Sequence, residues 1–386
     1  VGKLGYPDIA EKAIRDGDCD MVMLARPLLA DPDWCNKAFA GNVEEIRPCI
    51  GCQEGCVNEF ILGGHPQCAV NPRTGFEERF PETFTPAEKK KNIAVVGGGP
   101  AGITFALIAA KRGHNVTLYE KSEKLGGKIA VGSIPKIKFD LRNYLAYLEK
   151  QVELCQEQYQ LQVHKNTTVT AELLKEKAYD SVIFAYGTKE IFPPFEGREE
   201  ANLILGTDLL EHPEKAEGAN NIVIVGGGVV GCETAHWLAK NVTVLEMLPH
   251  FMTGVCTANR GHLLHYLEKS GVRLYNCTKV KALAKDGVYV EQNQSQTVPD
   301  PYNTWQPLLP PNIPNPMEKA IKEEIVEKKI PADLIVLAMG GKADETFFFE
   351  AGEEHLAKEI YNIGDSSRAG RVLEAVRGAY HLAVRI

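Results

Sequence analysis

Residues 93–102 read IAVVGGGPAG and residues 222–231 read IVIVGGGVVG. Each is a four-residue apolar run that breaks into Gly-x-Gly-x-x-Gly and then continues as a largely apolar segment, so each predicts a buried strand, a tight glycine turn and a helix. The first unit predicts strands over Ile93–Val96 and Val116–Tyr119 with a helix over Ala101–Arg112 between them, stopped by Gly113. The second predicts strands Ile222–Val225 and Val242–Leu245 around a helix Val230–Lys240. The fold class is therefore α/β, with two Rossmann-like halves. In each half the first glycine (Gly97, Gly226) permits the turn, the second (Gly99, Gly228) lets the backbone approach a pyrophosphate, and the third (Gly102, Gly231) lets helix and strand pack closely. Pro100 and Ala101, and Val229 and Val230, open helices whose N-termini offer free N–H groups and partial positive charge. Glu120 and Glu246 end the following strands, where a carboxylate accepts ribose hydroxyls. Met247-Leu248-Pro249-His250 holds no arginine to receive a 2′-phosphate, which favours NADH over NADPH.

A strand-like Ser181–Ala185 with a turn at Gly187 lies between the units, and Leu334–Ala338 and Glu359–Ile363 read as late strands. Because the second unit fills the middle of the chain, both late strands are expected to rejoin the first half and bring Gly364 and Asp365 to it. An acidic side chain beside a glycine turn suits a ribityl hydroxyl chain, so the first half is expected to hold FAD. The expected division is 91–210 and 331–386 for the FAD-binding domain and 211–330 for an inserted NAD(P)H-binding domain, with a proline-rich excursion over Asp300–Pro316.

A chain of 386 residues with 44% hydrophobic and 24% charged residues is too long for one core. Its net charge of -8 gives no basic footprint, so nucleic acid and anionic membrane are not expected partners and a small-molecule substrate is. Ten cysteines in this length are too dilute for a disulfide scaffold, which points to a reducing, cytoplasmic setting. Ile93–Ala110 carries no charge, but its glycine cluster and Pro100 speak against a membrane span.

Residues 1–45 predict a helix over Pro7–Asp16, a short buried strand over Asp20–Leu24 and a further helix. That strand needs neighbours, and none precede it, so the chain is expected to be a piece of something longer. Residues 46–90 are loop-like and end in a polar linker. Within them Cys49, Cys52, Cys56 and Cys68 form C-x2-C-x3-C-x11-C. Four thiolates on a tight, glycine-rich turn suit a 4Fe-4S cluster, which would stand in for a missing core. A structural zinc ion, usually held by two separated pairs, and four unconnected buried thiols are the alternatives.

The Ala25-Arg26-Pro27-Leu28-Leu29-Ala30-Asp31-Pro32 run, the cysteine spacing and the two nucleotide turns together resemble the multidomain old-yellow-enzyme group of iron–sulfur flavoproteins, which includes 2,4-dienoyl-CoA reductase, 2-enoate reductases and trimethylamine dehydrogenase. The resemblance covers essentially the whole chain. It implies glutathione-reductase-type domains preceded by a 4Fe-4S segment and the C-terminal end of a TIM barrel, and electron flow from NADH (or NADPH) through FAD and the cluster to FMN and an activated C=C bond. It implies FMN contacts at Gly2, Ala25 and Arg26, although the family usually has glycine where Ala25 stands. It also implies a flavin-side loop at Gly127 and Lys128, a return turn at Gly187, a backbone approach to the flavin at Val372, and a homo-oligomer. No proton donor is legible. An outward-running amine dehydrogenase and an electron-transfer subunit serving a separate catalytic chain are the alternatives it leaves.

Overall fold

The apolar runs become strands because each is buried on both faces, the condition under which parallel sheets form. The computed structural model describes residues 2–80, 83–239, 241–305, 309 and 313–386. In it Asn92–Val96 is the centre of a five-stranded parallel sheet, in the order Glu359–Asn362, Ser181–Phe184, Asn92–Val96, Asn115–Tyr119, Leu161–His164. Ile93 and Val95 pack under the helices Pro100–Lys111, Phe139–Gln158 and Val372–Ala383, while Ala94 and Val96 pack against Leu174, Phe347 and Leu356 on the opposite face.

Ile222–Val225 is central in a second five-stranded parallel sheet, in the order Leu203–Leu205, Leu334–Leu337, Ile222–Val225, Val242–Leu245, Arg273–Tyr275. Ile222 and Ile224 lie beneath the helices Val229–Leu238 and Thr257–Lys269. Val223 and Val225 meet a three-stranded antiparallel sheet of Thr278–Ala284, Gly287–Asn293 and Ile325–Pro331. The chain crosses between the halves through two short strands, Thr188–Glu190 and Gly341–Ala343, which pair antiparallel.

Two expectations are corrected. Leu334–Leu337 does not rejoin the first half; it pairs between Leu203–Leu205 and Ile222–Val225, so the second half begins before residue 211 and continues past residue 330. A short run apolar on both faces fits the interior of either sheet, and its own residues do not say which. Only Glu359–Asn362 returns, beside Ser181–Phe184. The Asp20–Leu24 run forms no strand, and Met21 and Met23 are 84% and 67% exposed. An extended run without a neighbour has no ladder for its amides. It lies between the helices Pro7–Arg15 and Arg26–Ala30.

Helix Pro100–Lys111 ends as its sequence predicts. Gly113 takes φ 99°, its N–H donates to Ala110 O (2.9 Å), and the His114 N–H donates to Ala109 O (3.2 Å). A Gly113→Ala variant is expected to lose about 1–2 kcal/mol, the cost of a Cβ in left-handed backbone, read as a lower denaturant midpoint for the first half. Among the described residues, no helix is long and apolar enough to cross a membrane.

Candidate active site

The two glycine turns have the same build. A Cβ on Gly102 would collide with the carbonyl oxygen of Gly97, and one on Gly231 with that of Gly226, so only glycine lets each helix sit this close to its strand. At Gly99 and Gly228 an added Cβ would meet nothing within 4 Å, which is open space beside a helix N-terminus of the kind a pyrophosphate fills. Glu120 is buried, and its carboxylate accepts the Gly98 N–H (2.7 Å) and the Ser122 N–H (2.9 Å). Glu246 repeats this with the N–H groups of Gly227 and Leu248, both at 2.8 Å. Two amides thus hold each carboxylate against its turn, and each keeps lone pairs for hydroxyl donors.

Around the first turn the structure gathers most of the residues singled out for FAD. The Gly126 N–H donates to Gly98 O (2.8 Å), and a Cβ on Gly127 would stand 3.2 Å from the Gly99 Cα, so this loop folds over the turn. The Lys128 ammonium bonds the Thr188 hydroxyl. Gly364 packs against Ala101 at the start of the helix that Pro100 opens, where a Cβ would come within 2.8 Å of the Ala101 methyl. Burial raises the Asp365 carboxyl, opposed by the Gly370 N–H (3.0 Å) and by the charge of Lys128. Gly187, at φ 84°, turns the chain from the first sheet into the connector. Val372 is the first residue of its helix, directly after the capping Arg371. At the second turn, Val229 and Val230 open the helix, and Val230 is 46% exposed.

Cys49, Cys52, Cys56 and Cys68 are half-buried and within electrostatic reach of one another. Desolvation raises the Cys49 and Cys68 thiols and pushes Cys52 up to about 12, and neighbouring members of the set add to each. The amides of Gly51, Glu54, Val70 and Asn71 oppose the shift at Cys49, Cys52 and Cys68. Among the described residues, no three His, Cys, Asp or Glu side chains form a group that closes on a single metal ion. The donor set nonetheless fits a cluster. All four donors are sulfur, and Gly51 at φ 66° and Gln53 at φ 61° bend the loop between Cys49 and Cys56.

This loop touches both halves. Glu54 pairs with Arg371 (2.6 Å), Gln67 bonds Arg377, and Asn259 donates to the carbonyl of Cys52 (2.8 Å). Lys138 and Glu233 tie the halves directly at 2.7 Å. Arg26 lies close enough to Cys49 to lower its thiol, whereas Gly2 and Ala25 are exposed. Lys3 pairs with Asp140, and the Tyr6 hydroxyl donates to the same carboxylate (2.8 Å), so the N-terminal segment sits on the first half. Arg371, Asn259 and the Lys138–Glu233 pair escaped the sequence reading. They are single polar residues without a motif, and only the fold brings them together.

The family model described as pyridine nucleotide-disulphide oxidoreductase matches residues 91–363. The chain is 31% identical over 392 residues to an NADH oxidase of Thermoanaerobacter brockii, covering 100% of this chain and 55% of that protein. It is 30% identical over 384 residues to a bilirubin reductase of Mediterraneibacter gnavus (strain CC55_001C), covering 98% and 54%. Among solved structures, a 2-naphthoyl-CoA reductase complexed with 2-naphthoyl-CoA matches with TM-score 0.85 and 29% identity over 100% of this chain and 53% of that one. The chain spans about half the length of the curated relatives it matches. FAD and NAD(P)H are the nucleotides that the matched domain supports. The chain belongs to the pyridine nucleotide-disulphide oxidoreductase family, in the form carried by multidomain flavoproteins of the old-yellow-enzyme group.

Proposed function

We propose that this chain passes reducing equivalents from NADH at the Gly226–Gly231 turn to FAD at the Gly97–Gly102 turn and on toward Cys49, Cys52, Cys56 and Cys68, within an enzyme that reduces an activated C=C bond of a 2-enoate or enoyl- or dienoyl-CoA at FMN. The observation that carries the reading is the position of Arg371. It caps the helix that begins at Val372, pairs with Glu54 of the cysteine loop, and donates to Gly254 O of the nicotinamide half (2.9 Å), so three binding regions meet at one side chain. A 4Fe-4S cluster takes one electron where a hydride carries two, which is the chemistry such a group supplies between two flavins.

The chain's own residues do the rest. Glu120 and Glu246 set the ribose ends, Lys128 and Asp365 flank the flavin side, and the Lys138–Glu233 pair holds the two halves in register. Arg26 is assigned to the FMN phosphate, as its bidentate fork suits that anion. Likeness to proteins named as reductases of bilirubin and of 2-naphthoyl-CoA supports the reducing direction and keeps acyl-CoA thioesters among the candidate substrates. The parent protein is taken to be a homo-oligomer of the cytoplasm acting on a small molecule.

Anaerobically purified protein is expected to hold about four irons and one FAD per chain, and NADH is expected to bleach the flavin absorbance. Zinc without visible colour, or a flavin that NADH leaves oxidised, would overturn the reading. In the outward-running alternative, an amine and not NADH reduces the flavin, so the same cuvette separates the two.

A further inference from the structure

The nicotinamide turn and the cysteine loop are joined by one short stretch of chain, Phe251–Asn259. At its start, the Met252 N–H donates to Gly227 O (2.8 Å), and the buried Phe251 ring lies so near that a Cβ on Gly227 would stand 2.6 Å from its Cε1. In its middle, Gly254 O accepts from Arg371 (2.9 Å), whose other nitrogen holds Glu54 between Cys52 and Cys56. At its end, the Asn259 amide donates to the carbonyls of Cys52 (2.8 Å) and Gly51 (3.2 Å) and accepts from Gln53 (3.0 Å). Buried Arg260 fastens the stretch from behind through Phe251 O (3.0 Å) and Asn303 O (3.1 Å).

Every polar atom of the Asn259 side chain is thereby committed to the loop that carries Cys52. The loop needs holding, because Gln53 sits at φ 61°, a left-handed conformation uncommon for a residue with a side chain. The open space at Gly228 adjoins Gly227, and Gly227 is in direct contact with Phe251 and Met252.

We propose that Phe251–Asn259 is a coupling segment through which occupancy of the nicotinamide site is felt at the cysteine loop, with Asn259 as the positioning residue at the loop end. The inference rests on the nucleotide and cluster assignments above and adds their linkage. Coupling of binding free energies is reciprocal, so the state of the loop alters nucleotide affinity by the same factor that nucleotide alters the loop.

The test is amide hydrogen exchange on the anaerobic holoprotein with and without ADP-ribose, which fills the nucleotide cleft and exchanges no hydride. Exchange is expected to slow by about fivefold or more at residues 226–231 and also at residues 51–58. Asn259→Asp keeps the side chain's shape but cannot donate to the two carbonyls. It is expected to keep the protection at residues 226–231 and lose it at residues 51–58. Arg371→Gln, which breaks the Glu54–Gly254 bridge, is expected to weaken the same protection and serves if the first variant does not fold. Protection at residues 226–231 with none at residues 51–58 in the unaltered protein would overturn the coupling and leave the nucleotide assignment standing. No protection at residues 226–231 would overturn both.

Discussion

Gly231→Ala is expected to weaken apparent NADH affinity at least tenfold while FAD stays bound, and Gly102→Ala is expected to release FAD. Both substitutions place a methyl group against a carbonyl oxygen of the preceding turn, Gly226 or Gly97. Neither oxygen can retreat, because each turn is fixed to its neighbours. The peptide that carries the Gly226 oxygen donates its Gly227 N–H to Glu246 (2.8 Å), and the one that carries the Gly97 oxygen donates its Gly98 N–H to Glu120 (2.7 Å). The helix must therefore move off the strand, which lifts its N-terminus from the place of the pyrophosphate. A tenfold loss is about 1.4 kcal/mol, within the roughly 1–3 kcal/mol that overpacking a tight site costs. Flavin content and the rate of bleaching by NADH read the two outcomes separately. If Gly231→Ala releases FAD and Gly102→Ala spares it, the halves have been assigned the wrong way round.

The shared steric role of these two glycines was legible in the sequence, because a glycine triplet between an apolar run and a helix has a steric reason for each position. The burial of both strands was also legible, since uncharged four-residue runs such as Ile222–Val225 fit where both faces are covered. That same property hid the partner of Leu334–Leu337. A run without polar alternation carries no mark of which sheet it enters, and its place was decided by Leu203–Leu205 and by the paired connectors that return the chain. Asp20–Leu24 shows the converse, an apolar pattern with no ladder to join. The contacts among the three candidate sites were not legible at all. Arg371 and Glu54 stand far apart in the chain and become neighbours only when the last helix packs on the first sheet.

Cys52→Ser is expected to strip the visible iron–sulfur absorbance and cut reduction of one-electron acceptors at least tenfold, while NADH continues to bleach the flavin. Serine offers a hard, weakly acidic hydroxyl where iron takes a soft thiolate, and three thiolates leave one corner of a cubane open. The position is sensitive for a second reason. The Cys52 carbonyl is fixed by Asn259 and the following Gln53 by its left-handed backbone, so no neighbouring side chain can swing in as a substitute ligand without breaking those contacts. Cys35→Ser is the matched control, since Cys35 is exposed on the helix Trp34–Phe39 and lies outside the loop. It should keep full iron and full acceptor activity. Because neither nucleotide turn contains Cys52, persistence of flavin bleaching in Cys52→Ser separates loss of the cluster from loss of the fold. Iron retained in Cys52→Ser, or lost equally in Cys35→Ser, would show that the loop does not hold the metal.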